Sequence, residues 1–98
     1  MRVASGTELR RRLIGAFIRQ HRLKAGITQE DLANHLGYSS AQFVSNWERG
    51  VSMPPLKSLP GLAAHIGVSG RAMMELILAY QDEVRKLERK PLRALFKA

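Results

Sequence analysis

Amide and hydroxyl side chains recur at helical spacing near the middle of the chain, at Gln42, Ser45 and Asn46, and Arg49 follows one turn later. Short amides and hydroxyls can both donate hydrogen bonds to the edges of nucleic-acid bases and accept hydrogen bonds from them. Helices that serve only for packing tend to expose Lys and Glu instead. The alternative interpretation is an ordinary solvated helix face, and the context of these residues has to decide between the two.

The sequence offers no arrangement of residues typical of catalysis or metal binding. There is no cysteine, and His21, His35 and His65 do not have the spacing of metal ligands. No nucleophile stands beside a base, and no glycine-rich loop could hold a phosphate. We therefore expect a protein that is not an enzyme, that needs no metal or cofactor and that has no evident small-molecule site.

Size and charge point in the same direction as the polar residues. The 98 residues contain 45% hydrophobic residues, enough for one domain with one core. Sixteen Lys and Arg face eight Asp and Glu, which gives a formal net charge of +8 and favours an acidic partner, nucleic acid before membrane. No apolar run approaches the length of about 20 residues that a membrane helix needs. The sequence predicts a cytoplasmic, nucleoid-associated protein with no membrane contact.

Apolar residues recur every three to four positions throughout the chain, so we predict an all-α fold of five helices. The first helix follows a capping box at Ser5, runs from about residue 7 to Ala25 and is ended by Gly26. Its apolar positions include Leu9, Leu13, Phe17 and Leu23, and Ile14, Ile18 and His21 form a neighbouring stripe.

The remaining helices have recognisable starts and ends. Helices are predicted at about 28–36, where Thr28 is the cap, and at about 40–49, where Ser39 or Ser40 is the cap. A fourth helix begins at Ser58-Leu59-Pro60 and is closed by Gly67. The last begins near Ser69 and extends to about Lys90, before Pro91.

The second and third helices are joined by too few residues to pack side by side. They must cross steeply, as in a helix-turn-helix, with Gly37 at the corner. Val44 and Trp47 would pack into the crossing, which leaves the polar residues of the third helix on or near its outer face.

The chain here resembles the helix-turn-helix family of the lambda-type phage repressors, Cro and the xenobiotic-response-element regulators. The resemblance covers residues 18–69, about half of the chain. The matching residues are Arg22, Gly26-Ile27-Thr28-Gln29-Glu30-Asp31-Leu32-Ala33, Leu36-Gly37, Ser45, Glu48-Arg49-Gly50, Pro54 and Ile66-Gly67-Val68-Ser69.

The resemblance implies a five-helix lambda-repressor-like DNA-binding domain and a role for each matching position. Arg22 and Glu48 match a structural ion pair between the first and third helices. The expected base contacts are Ala41, Gln42, Phe43 and Asn46. The expected phosphate contacts are Gln29, Ser40, Ser45, Arg49 and Lys57. Phe43 has two open roles, because its ring could touch thymine methyl groups or fill a small surface groove.

The end of the chain carries more apolar residues than one domain core needs. A heptad spacing links Met73, Ile77, Tyr80, Val84 and Leu87, over two repeats only. Exposed apolar residues would be costly for a monomer, so they predict a partner surface. The residues expected there are Tyr80, Val84, Leu87, Leu92, Leu95 and Phe96. A homodimer is the simplest partner, and a tail that folds back on its own domain is the alternative.

Two functional hypotheses follow. The first is a dimeric, sequence-specific regulator of transcription, expected to be a repressor, in which residues 1–70 bind double-stranded DNA and residues 71–98 extend the domain. The second is an antitoxin or adaptor that holds a partner protein through its C-terminal helix.

Overall fold

A computed structural model describes residues 6–78 of the chain. Five α-helices follow one another: α1 (Gly6–Ala25), α2 (Gln29–His35), α3 (Gln42–Glu48), α4 (Leu59–Ile66) and α5 (Gly70–Leu78), with a 3₁₀ turn at Leu56–Ser58 before α4. Every element in this part of the chain is helical, which confirms the all-α prediction. The predicted cap Ser5 lies outside the described residues. So does the predicted partner surface, Tyr80, Val84, Leu87, Leu92, Leu95 and Phe96.

One hydrophobic core joins all five helices. Its fully or almost fully buried members are Ile14, Ile18, Leu32, Ala33, Val44, Trp47, Leu59, Leu62, Ala63, Ile66, Met73 and Leu76. None of the described helices combines the length and the hydropathy needed to cross a membrane.

The apolar residues of α1 lie on two sides of the helix, and only one side is covered. Ile14 and Ile18 are buried against the other helices, whereas Leu9, Leu13 and Leu23 are 50–68% exposed. The sequence did not distinguish these two stripes, because both recur with helical spacing. The neighbours of α1 in space decide which stripe enters the core.

The start of α2 carries the predicted cap. The Thr28 hydroxyl accepts a hydrogen bond from the backbone N–H of Asp31 (3.0 Å), and the Asp31 carboxylate accepts one from the backbone N–H of Thr28 (3.1 Å). The Thr28 backbone N–H, and after it the Thr28 hydroxyl, stabilise the charged Asp31 carboxylate and so lower the pKa of Asp31 below its usual value. At the other end of the helix, Gly37 has φ +83°, the left-handed conformation that the sharp corner needs.

The third helix starts two residues later than predicted. Ser40 lies outside α3, and its hydroxyl accepts a hydrogen bond from the backbone N–H of Gln42 (3.0 Å). Ala41 occupies the N-cap position with a helical backbone, and it has no side-chain oxygen to cap the helix. The prediction of a start at residue 40 was therefore wrong, because the serine cap stands one residue ahead of the cap position.

Helices α1 and α3 approach each other very closely at Gly15. A Cβ atom at this position would overlap the backbone carbonyl oxygen of Trp47 and come within 2.7 Å of that of Glu48. One turn earlier on α1, Arg11 donates a hydrogen bond from Nε to the carbonyl oxygen of Gly50, just beyond α3 (3.0 Å). The absent side chain at residue 15 lets α1 pack closely against the C-terminal end of α3.

Candidate nucleic-acid interface

The back of α3 is fixed by a buried ion pair. Arg22 of α1 donates from Nε to Glu48 Oε2 (2.6 Å) and from Nη2 to Glu48 Oε1 (3.0 Å). A third guanidinium nitrogen, Nη1, donates to the carbonyl oxygen of Ile27 in the loop before α2 (2.9 Å). The Arg22 and Glu48 side chains are only 9% and 3% exposed. One guanidinium therefore ties together α1, the start of α2 and the end of α3.

The contact with Glu48 favours the charged form of the Arg22 guanidinium. The hydrogen bond to Glu48 raises the pKa of Arg22 above its usual value, although burial acts in the opposite direction. Gln29, the first residue of α2, also donates from Nε2 to Glu48 Oε1 (3.0 Å). Glu48 thus accepts hydrogen bonds from two helices and fixes the angle between α2 and α3.

The outer face of α3 carries a small hydrogen-bonded network of three polar side chains. Gln42 donates from Nε2 to Asn46 Oδ1 (2.8 Å), and Arg49, which follows the helix, donates from Nη2 to the same oxygen (2.7 Å). Gln42 and Arg49 are exposed and Asn46 is half-buried. The three residues form one polar surface of amide and guanidinium groups, the groups that pair with base edges in a DNA groove.

An aromatic stack borders this surface. The ring of Phe43 is 44% exposed and stacks on Tyr38, with ring centroids 4.7 Å apart. Tyr38 meets Trp47 edge-on at 5.4 Å, and its hydroxyl lies 3.1 Å from that of Ser58. Phe43 therefore packs against Tyr38 and still presents part of its ring at the surface.

Beside the start of α2 and α3 lies an open cleft of about 630 Å³. Leu23, Ile27, Gln29 and Ala41 are among the residues that line it. Gln29 and Ala41 are twelve positions apart in sequence. In the structure they line the same concave surface, together with the end of α1.

The other residues predicted to contact phosphates lie on α3, just before α3, or in the 3₁₀ turn that precedes α4. Ser40 is exposed at the start of α3, and its hydroxyl already accepts from Gln42. Ser45 is half-buried on α3, and Lys57 is exposed in the 3₁₀ turn. The structure brings Gln42, Asn46 and Arg49 into direct contact, whereas the Lys57 side chain comes from a separate segment.

Two features escaped the sequence interpretation. The coupling of Asn46 to Gln42 and Arg49 was foreseeable, because residues three and four apart are neighbours on a helix. The stack of His35 on His65 was not, since it joins the ends of α2 and α4 through tertiary contact, with ring centroids 4.0 Å apart. In the part of the chain that the structure describes, no group of three or more His, Cys, Asp or Glu could hold a metal ion.

Comparison with known protein families gives a match over the middle of the chain. Residues 18–72, more than half of the chain, match the family model described as helix-turn-helix. Neither the curated proteins nor the solved structures contain a match to the chain. The matched segment begins at Ile18 and includes all of α2, α3 and α4 together with their connections.

Proposed function

Because the chain belongs to the helix-turn-helix family of DNA-binding regulators that includes Cro and the lambda-type repressors, we propose that it is a sequence-specific repressor of transcription that binds double-stranded DNA as a homodimer. In this proposal α3 enters the major groove and the positive charge of the domain holds the phosphates.

The polar surface formed by Gln42, Asn46 and Arg49 is the observation that carries the proposal. These side chains lie on the side of α3 opposite Val44 and Trp47, which are buried in the core. The helix behind them is fixed by Gly15 and by the Arg22–Glu48 pair, so little conformational freedom would be lost on binding. A rigid helix with an outward face of hydrogen-bonding groups is well suited to reading base edges.

The remaining contacts are proposed from the family resemblance of the residues on and around α3. We assign base contacts to Gln42 and Asn46, and apolar contacts with thymine methyl groups to Ala41 and the exposed part of Phe43. We assign phosphate contacts to Gln29, Ser40, Ser45, Arg49 and Lys57. Only one guanidinium nitrogen of Arg49 is used in its bond to Asn46, and the other N–H groups are available to a phosphate.

The assembly is proposed from the sequence beyond residue 78. The apolar residues Tyr80, Val84, Leu87, Leu92, Leu95 and Phe96 would form the contact between two copies. A two-fold dimer would place its two α3 helices on half-sites about 34 Å apart along one face of the DNA. A protein bound in this way would be associated with the nucleoid.

Selection of DNA from a random duplex pool at moderate salt tests the function. The full-length protein should enrich an inverted repeat, and Gln42→Ala should weaken binding to that repeat by about 1–3 kcal/mol with little effect on random DNA. Gln20→Ala, which removes an exposed glutamine from α1, is the matched control and should bind as the wild type does.

Two outcomes would contradict the proposal. Equal losses on both DNAs would reject Gln42 as a base-reading residue. Absence of any enriched sequence, with binding that only fades as salt rises, would reject sequence-specific regulation. That second outcome would favour the adaptor or antitoxin hypothesis, in which the C-terminal residues hold a partner protein.

A further inference from the structure

The carboxamide of Asn46 has a defined orientation. A guanidinium group can only donate hydrogen bonds, so the atom of Asn46 that faces Arg49 at 2.7 Å must be the oxygen, Oδ1. The same oxygen lies 2.8 Å from the Gln42 side chain, which must therefore present its nitrogen, Nε2. Both amide orientations follow from the chemistry of Arg49.

This arrangement leaves Asn46 as a donor only. An amide oxygen has two lone pairs, and here Gln42 and Arg49 occupy both. The nitrogen, Nδ2, has no hydrogen-bond partner among the described residues. Nδ2 is also accessible to solvent. Among the described residues, only His65 Nε2 is a side-chain nitrogen or oxygen that is both buried and without a hydrogen-bond partner, so Nδ2, which has no partner, is not buried. Asn46 thus offers two N–H groups to a ligand and no free acceptor.

We propose that Asn46 reads a base that carries a keto group in the major groove, guanine or thymine, and that Arg49 is the positioning residue that imposes this choice. The inference rests on the proposed function. Guanine presents O6 and N7 and thymine presents O4, all of which accept from an N–H group. Cytosine presents the N4 amino group, which would meet the N–H groups of Asn46 donor to donor.

Adenine is the informative comparison. An unconstrained asparagine binds adenine with two hydrogen bonds, donating to N7 and accepting from the N6 amino group. Here the oxygen that would accept from N6 is already saturated, so adenine could keep only the bond to N7. Guanine can accept at both O6 and N7. We therefore expect the protein to bind guanine about tenfold more tightly than adenine at this position, because adenine forms one hydrogen bond fewer with Asn46.

Asn46→Asp tests the donor assignment. A carboxylate can only accept hydrogen bonds. One oxygen of the new carboxylate would still accept from Arg49, and the other could accept only from the amino group of a base, N4 of cytosine or N6 of adenine. In the random-pool selection with the full-length protein, the variant should therefore exchange the wild-type keto base for cytosine or adenine on the strand that Asn46 faces. The added negative charge lowers affinity for every DNA, so the readout is the ratio between sequences at this one position.

Arg49→Ala tests the positioning role. Once the donor from Arg49 is removed, the Asn46 amide can accept from adenine, and the roughly tenfold preference for the keto base should shrink to less than about threefold. Arg19→Ala removes the same charge from the exposed surface of α1 and should keep the wild-type ratio. Both side chains at 46 and 49 lie on the surface, and thermal unfolding followed by circular dichroism verifies that each variant is folded.

The outcomes separate this inference from the function on which it rests. If the wild type enriches no sequence, the proposed function fails and the inference fails with it. If the wild type is specific but Asn46→Asp retains the wild-type base pair at the affected position, Asn46 already used its acceptor and the inference alone is rejected. A loss in Arg49→Ala that is equal on all sequences would show that Arg49 contacts only phosphate, which also rejects the inference.

Discussion

Arg22 and Glu48, twenty-six residues apart, form a two-point ion pair that is almost completely shielded from solvent, with its shorter bond 2.6 Å long. Removing one partner leaves the other charge buried without compensation. We expect Glu48→Leu to lower the free energy of unfolding by about 3–5 kcal/mol, measured by urea denaturation.

The double variant Arg22→Met with Glu48→Leu is the control for this prediction. It removes both charges and fills the space with apolar side chains, so it should lose far less stability than Glu48→Leu alone, because replacement of a buried pair by packed apolar groups is often close to neutral. Equal losses in the single and the double variant would show that the ion pair itself, and not an unpaired charge, determines the stability.

Gly15 is the second point at which α1 fixes α3. A methyl group there would overlap the carbonyl oxygen of Trp47, and backbone atoms cannot move aside as a flexible side chain can. Gly15→Ala should therefore destabilise the protein by about 1–3 kcal/mol or more, measured by thermal unfolding. Gly70→Ala is the matched control, because a Cβ there has no atom within 4 Å, and this variant should be as stable as the wild type or slightly more stable.

The cap of α2 makes stability depend on acid pH. The hydrogen bonds from Thr28 lower the pKa of Asp31 below the value of 3.8 expected in the unfolded chain, so the unfolded state takes up a proton first as the pH falls. The contribution of Asp31 is fully present above pH 3.8 and is lost as the pH falls through the lower pKa of the folded state.

Unfolding measured from pH 7 to pH 2 checks this dependence. The stabilities of the wild type and Asp31→Asn should differ at neutral pH and converge in the acid range. A constant difference between wild type and Asp31→Asn at every pH would contradict the role of the charged cap.

Local signals made most of the fold predictable from sequence. Thr28 and Asp31 mark a helix start within four residues, and Gly37 marks a corner by its backbone conformation. Val44 and Trp47 are three residues apart, and both enter the core as their spacing predicts. Each of these features depends on residues close together in the chain, which is why the sequence alone specifies them.

The remainder depends on contacts between distant residues. The spacing of Leu9 and Leu13 on α1 is as regular as that of Ile14 and Ile18, and the helices packed against α1 determine which stripe is buried. For the candidate site, residue types identified Gln42 and Asn46 as hydrogen-bonding groups. Their orientation required the structure, because it depends on which side chain occupies the oxygen of Asn46.

The proposed dimer predicts that removing the C-terminal residues lowers the mass of the protein in solution and weakens its binding to the operator. A chain that ends after Gln81 lacks residues 82–98 and most of the apolar positions assigned to the contact between copies. Its mass in solution, measured by light scattering, should fall from two copies to one, and its affinity for a two-half-site operator should fall toward that for a single half-site. Unchanged mass and affinity would place the dimer contact elsewhere.

Lys57 tests the electrostatic part of binding. Its side chain is exposed in the 3₁₀ turn and it is assigned to a phosphate, so its loss should weaken binding to the operator and to random DNA by the same factor. Each neutralised phosphate releases counterions, and Lys57→Ala should therefore reduce the slope of log K against log salt concentration by about 0.9. Arg19→Ala, an equal loss of charge on α1, should leave that slope nearly unchanged. If the salt dependence of log K is the same for Lys57→Ala and the wild type, Lys57 does not contact a phosphate. An affinity change without a change in salt dependence does not come from a phosphate contact.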